Sequence, residues 1–84
     1  MPVDPYIEAI HFIEKGDWEA SHQLIQRYNS AMACWIHAHL HRVEGDLWNA
    51  NYWYDRAGKK APDLSFQEER DQIKSFILKE QSNF

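Results

Sequence analysis

Apolar residues recur along this chain at the three- and four-residue spacing of a helix face, with no segment showing the alternation of a strand. Tyr6, Ile10 and Ile13, with Ile7 alongside, mark a first stripe. Asp4 can cap that helix, Pro5 suits its first position, and Gly16 ends it. Asp17 can cap a second helix with Trp18, Ser21, Leu24, Ile25 and Tyr28 on one face. Asn29–Ser30 supplies a turn and another cap. A third helix then carries Met32, Ile36, Leu40 and Val43, with Trp35 and His39 beside them. Gly45 closes it and Asp46 caps a fourth, whose inward set is Leu47, Ala50, Trp53, Tyr54 and Ala57. Gly58 and Pro62 stop the fourth helix. Two restarts follow: Asp63 as a cap, or Ser65 with Glu68 as a capping box. The last helix sets Phe66, Ile73, Phe76 and Ile77 inward and ends near Gln81.

The pattern contains two half-repeats. "GDWEASHQLIQRY" from Gly16 matches "GDLWNANYWYDRA" from Gly45 at an offset of 29 residues, within the range of helical-repeat architectures. Each has Gly-Asp, an apolar residue, a small residue (Ser21 or Ala50), an apolar pair and Arg. The turn folds one helix antiparallel onto its predecessor, and the small residue lets the two approach closely. The fourth helix resembles the second half of a tetratricopeptide repeat, with Gly45, Ala50, Tyr54, Ala57 and Pro62 at that repeat's spacing. Trp35 falls one residue late for the first half. There is no room for the three repeats of a solenoid. The expectation is all-α: about five helices in a single domain over 1–84, as two antiparallel, tetratricopeptide-like hairpins plus a C-terminal helix.

Composition narrows the function classes. Eighty-four residues make a thin core, and an aromatic content of 14% compensates with large side chains. Cys34 is the sole cysteine, so neither an internal disulfide nor a cysteine-only metal cage can form. The first residues lack the basic-then-apolar pattern of a signal peptide, and no run approaches a membrane span. A reducing cytoplasm is the expected compartment, with no membrane association. The net charge of −4 disfavours nucleic acid as a partner, although Arg56, Lys59 and Lys60 form a small basic cluster. That cluster also suits a helix C-terminus. No cofactor is expected.

The chemistry concentrates between Trp35 and Gly58. At 100° per residue, His39 points into the apolar face as a hydrogen-bonded core residue, whereas His37 and His41 are i, i+4 neighbours on the opposite side. Cys34, His37 and His41 share a stripe about 60° wide, a C-x2-H-x3-H candidate for metal. The stripe lacks the acidic residue between histidines that marks a catalytic zinc helix. The His37/His41 pair could instead serve as acid and base, or line a ligand pocket with His22, Arg42, Glu44, Asn49, Tyr52 and Arg56. Pairing around Gly45 would bring His41 level with Asn49 or Tyr52, and such a pocket would suit a small anion or a polar aromatic ligand. No nucleophile has a dedicated base; Ser21 and His22 are adjacent on a helix and diverge by about 100°. Trp48 and Tyr52 form a second i, i+4 pair off the inward face. Left uncovered, they would make an interface to a protein partner or a second copy in a homodimer.

The span Trp35–Gly58 resembles a small uncharacterised bacterial family with the approximate motif W-x-H-A-x-x-H-R-x-E-G-D-x-x-N-A-x-Y-W-Y-x-R-A-G. Trp35, His37, Ala38, His41, Arg42, Glu44, Gly45, Asp46, Asn49, Ala50, Tyr52, Trp53, Tyr54, Arg56, Ala57 and Gly58 carry the match, and "GDWEASHQLIQ" resembles its upstream segment with His22 in place. The resemblance implies that His22, His37, His41, Arg42, Asn49 and Arg56 belong to the motif and that Cys34 does not. It implies no activity. The expected function is a small interaction or ligand-binding module. The alternative is an enzyme or metal-binding protein using His37 and His41.

Overall fold

A computed structural model describes residues 4–81, which form five α-helices with no strand among the described residues. Each helix starts where a short polar side chain takes up N–H groups that the first turn leaves over. Asp4 accepts from the Tyr6 amide at 2.8 Å ahead of α1 (Pro5–Glu14). Asp17 accepts from Ala20 at 3.1 Å ahead of α2 (Trp18–Ile25). Ser30 accepts from Ala33 at 3.1 Å ahead of α3 (Ala31–Glu44), and Asp46 from Asn49 at 3.2 Å ahead of α4 (Leu47–Arg56). The capping box opens α5 (Phe66–Gln81): the Ser65 amide donates to Glu68 at 3.0 Å and the Glu68 amide to the Ser65 hydroxyl at 3.1 Å. Asp63, the other expected cap, precedes no helix; residues 59–65 are irregular.

The half-repeat is one turn built twice. Gly16 and Gly45 take φ of 83° and 86°, which only glycine adopts without strain. In each case the following aspartate amide reaches back over the turn at 2.9 Å, Asp17 to the Phe12 carbonyl and Asp46 to that of His41. The small residues lie at the contacts as expected. Ala50 is buried, and so is Ser21, whose hydroxyl donates to the Ala9 carbonyl at 2.7 Å. The hairpins α1–α2 and α3–α4 are the two most extensive pairings, and α3 touches all four other helices.

That central position alters the expected faces of α3. Every residue from Ala33 to His41 is buried, so the side carrying His37 and His41 is covered as fully as the side carrying His39. Ile10, Ile25, Ile36, Leu40, Tyr54, Ile73 and Ile77 fill the core. Four residues expected inside lie at its margin. Leu47 is 63% exposed at the start of α4, at the tip of its hairpin. Phe76 meets Trp35 edge-on at the rim, Phe66 lies at the first turn of α5, and Tyr28 leans edge-on against Tyr6.

The core also encloses a charge. Glu69 of α5 is fully buried. It accepts from the Trp35 indole at 3.1 Å, the Tyr54 hydroxyl at 2.5 Å, His39 Nδ1 at 2.6 Å and the Arg42 guanidinium at 3.0 Å. Burial pushes its carboxyl up, but the hydrogen bonds from His39, Tyr54 and Trp35 outweigh this and hold it below its ordinary range. Burial, then the bond to Glu69, drives the Tyr54 phenol upward. Arg70 reaches His39 Nε2 at 3.3 Å. A guanidinium can only donate, so Arg70 donates to His39 Nε2 and His39 Nδ1 donates to Glu69. The network ties α3, α4 and α5 together. No helix among the described residues is long and apolar enough to cross a membrane.

Candidate functional site: a histidine cluster between the hairpins

The other histidines follow a different logic. His37 and His41 stand one turn apart on α3, facing α2 and α4. His22 comes from α2, one turn after Trp18. The Trp18 indole is fixed by donating to the Leu40 carbonyl at 2.7 Å, and it stacks on His22 with centroids 4.8 Å apart and planes 9° from parallel. On the far side, Trp53 of α4 stacks on His37 at 3.9 Å and 12°. The two tryptophans thus brace two imidazoles between them.

The three rings form a near-equilateral triangle, with centroids 4.8, 5.3 and 5.0 Å apart for His22–His37, His22–His41 and His37–His41. His22 Nε2 and His37 Nε2 are 3.1 Å apart, a hydrogen bond in which one ring donates to the other. His41 Nδ1 bonds Glu44 at 2.6 Å. His37 and His41 are buried and His22 is half-buried, so the cluster meets solvent on the α2 side. Burial first, then repulsion from His22 and His41, lowers His37 to about 3. Burial and His41 also lower His22, against the opposing pull of Glu19 and Glu44. Both shifts favour the uncharged rings at neutral pH, and the bond between His22 and His37 takes up the lone pair of whichever ring accepts.

Of the eight candidate pocket residues, the structure gathers His22, His37 and His41, with Glu44 bonded to His41. The other four serve elsewhere. Arg42 turns to Glu69, to the Leu64 carbonyl and to the face of Phe66. Asn49 donates to Asp46 at 2.7 Å within the cap of α4. Tyr52 accepts from Arg56 at 3.3 Å on the exposed side of α4. From α4, the residue that stacks on a ring of the cluster is Trp53, against His37. The Cys34–His37–His41 set does not assemble either. Cys34 Sγ points to the Asn29 carbonyl at 3.9 Å, and the nitrogen-rich group that could hold a metal is His22, His37 and His41. A neighbouring trio, His41, Glu44 and Asp46, shares His41, but its carboxylates already bond His41 and Asn49.

Trp48 remains 78% exposed, with Tyr52 parallel to it at 6.5 Å and a shallow cleft lined by Trp48, Asn51, Tyr52 and Asp55. No helix among the described residues covers this pair. The sequence reading missed Glu69 altogether and took Trp18 and Trp53 for ordinary core. The half-repeat held the signal for Trp18, since it sets that indole one helical turn before His22. No protein-family model, curated protein or solved structure matches this chain.

Proposed function

We propose that this chain is a small helical binding module whose ligand site is the His22–His37–His41 cluster. One contrast carries the reading. His39 is buried with both ring nitrogens engaged by Glu69 and Arg70. The cluster instead buries imidazoles chiefly against one another and against two indoles, where carbon side chains would pack at less cost. A neutral imidazole carries one lone pair, and the bond between His22 and His37 engages that of whichever ring accepts. Such a site suits an electron-pair acceptor or a hydrogen-bond donor. It does not suit an anion, because Arg42 is engaged by Glu69 and Arg56 by Tyr52 and the face of Trp53. The resemblance of Trp35–Gly58 to the bacterial motif supports the same residues. The tetratricopeptide-like hairpins serve as the scaffold, and a single buried cysteine suits the cytoplasm.

A thermal-shift screen over metal ions, small amines and polar heterocycles tests the reading. A ligand at 100 times its Kd adds about 2.7 kcal/mol to stability. The ring resonances of His22, His37 and His41 should move while those of His39 stay. If every stabilising compound leaves the cluster resonances in place, the site is elsewhere.

The exposure of Trp48 favours a second role, contact with a protein partner or a second copy through Trp48 and Tyr52. Sedimentation of wild type and Trp48→Ala tests the homodimer. The expected result is a dimer that the substitution dissociates, and a monomer in both removes it.

A further inference from the structure

We infer that His22, His37 and His41 bind a divalent transition-metal ion of the zinc class, in a site that bridges α2 and α3 with a fourth position open toward solvent. This rests on the reading of the cluster as the ligand site and names the ligand. The three donor atoms lie within 4.8 Å of one another. Tetrahedral zinc with Zn–N bonds of about 2.0–2.1 Å sets its nitrogens about 3.3 Å apart. The His22 and His37 Nε2 atoms already stand at 3.1 Å; metal binding replaces the hydrogen bond between them, the donor ring moving its hydrogen from Nε2 to Nδ1, and His41 brings the third nitrogen.

The surroundings fit a metal as well as the distances do. Glu44 accepts from His41 Nδ1, which leaves Nε2 as the ring's ligand atom. A carboxylate behind a ligating imidazole is the outer-shell arrangement that orients such ligands. The stacked indoles of Trp18 and Trp53 hold the planes of His22 and His37. An all-imidazole set with no thiolate selects zinc, copper(II), nickel(II) or cobalt(II) over calcium and magnesium, which need oxygen ligands. The half-buried His22 provides the entry path.

Tag-free protein, stripped with a chelator, would be titrated with Zn²⁺ and with Co²⁺. The expected result is one equivalent of zinc, tetrahedral visible bands with cobalt, and shifts of His22, His37 and His41 but not His11 or His39. His22→Gln, at the half-buried position, should lose the metal while melting like wild type in chelator. Glu44→Gln should weaken binding about 10- to 100-fold. Cys34→Ser should leave it unchanged. Less than about 0.1 equivalent of retained zinc, or full binding by His22→Gln, overturns the metal site. If the metals fail but an organic ligand moves the cluster resonances, the binding-module reading stands and only its metal is lost. If neither moves them, both fall.

Discussion

Glu68 and Glu69 are adjacent in the sequence and have opposite roles. Glu68 caps α5 at the surface, and Glu69 anchors four side chains in the core. Glu68→Ala removes one exposed bond of the capping box, so a small loss, well below that of Glu69→Ala, is expected. Glu69→Ala leaves Arg42 charged and the Trp35, Tyr54 and His39 donors without their acceptor, so about 3–5 kcal/mol is expected. Urea unfolding of the two variants measures the difference. The capping box was legible because its spacing is local. Glu69 was not, because its partners lie 15 to 34 residues away and nothing in "QEER" marks which acid turns inward. His37 carries a pH signature. Its folded value of about 3 lies below the free value of 6.5. Below pH 6.5 the unfolded chain takes a proton that the folded chain refuses until about pH 3, so stability is full above that window and falls through it. At about 1.4 kcal/mol per pH unit, acidification from 6.5 to 5 should remove about 2 kcal/mol through this one group. Urea melts at both pH values, on wild type and His37→Phe in chelator, should show a shallower loss in the variant.

At the scale of elements, the turns were the most legible part of the chain. Gly-Asp announces a left-handed residue followed by a cap, and both copies form it with nearly equal φ. Gly45→Ala meets no obstructing atom, yet a side chain at φ 86° is strained, so about 1–2 kcal/mol of destabilisation is expected in thermal melts. The helix faces were less legible. A wheel separates one buried stripe from one exposed stripe, which presumes a helix at the surface. Helix α3 is surrounded, so its polar residues had to be accommodated inside: His39 through Glu69, and His37 and His41 through each other and His22. The wheel separated His39 from His37 and His41, but misplaced the solvent and grouped Cys34 with a pair it does not join. At α4 and α5 the error ran the other way. Leu47, Phe66 and Phe76 fit an inward stripe, but a domain this small leaves its helix ends and rims uncovered.

The molecule as a whole closes around α3. Its radius of gyration, 11.9 Å, matches the about 12 Å of a compact chain of this length, so α5 folds back onto the hairpins. The docking of α5 rests on Ile73, Ile77 and the carboxylate of Glu69. The two hairpins meet differently, and here the placement of the cluster has a further consequence. His22 belongs to the first hairpin, and His37 and His41 to the second. Neither half owns a complete site. A chain severed between Asn29 and Ser30 would yield two fragments that each hold part of the proposed site. A metal held by the cluster would then add to the core packing that joins the fragments, so reassembly should tighten with zinc.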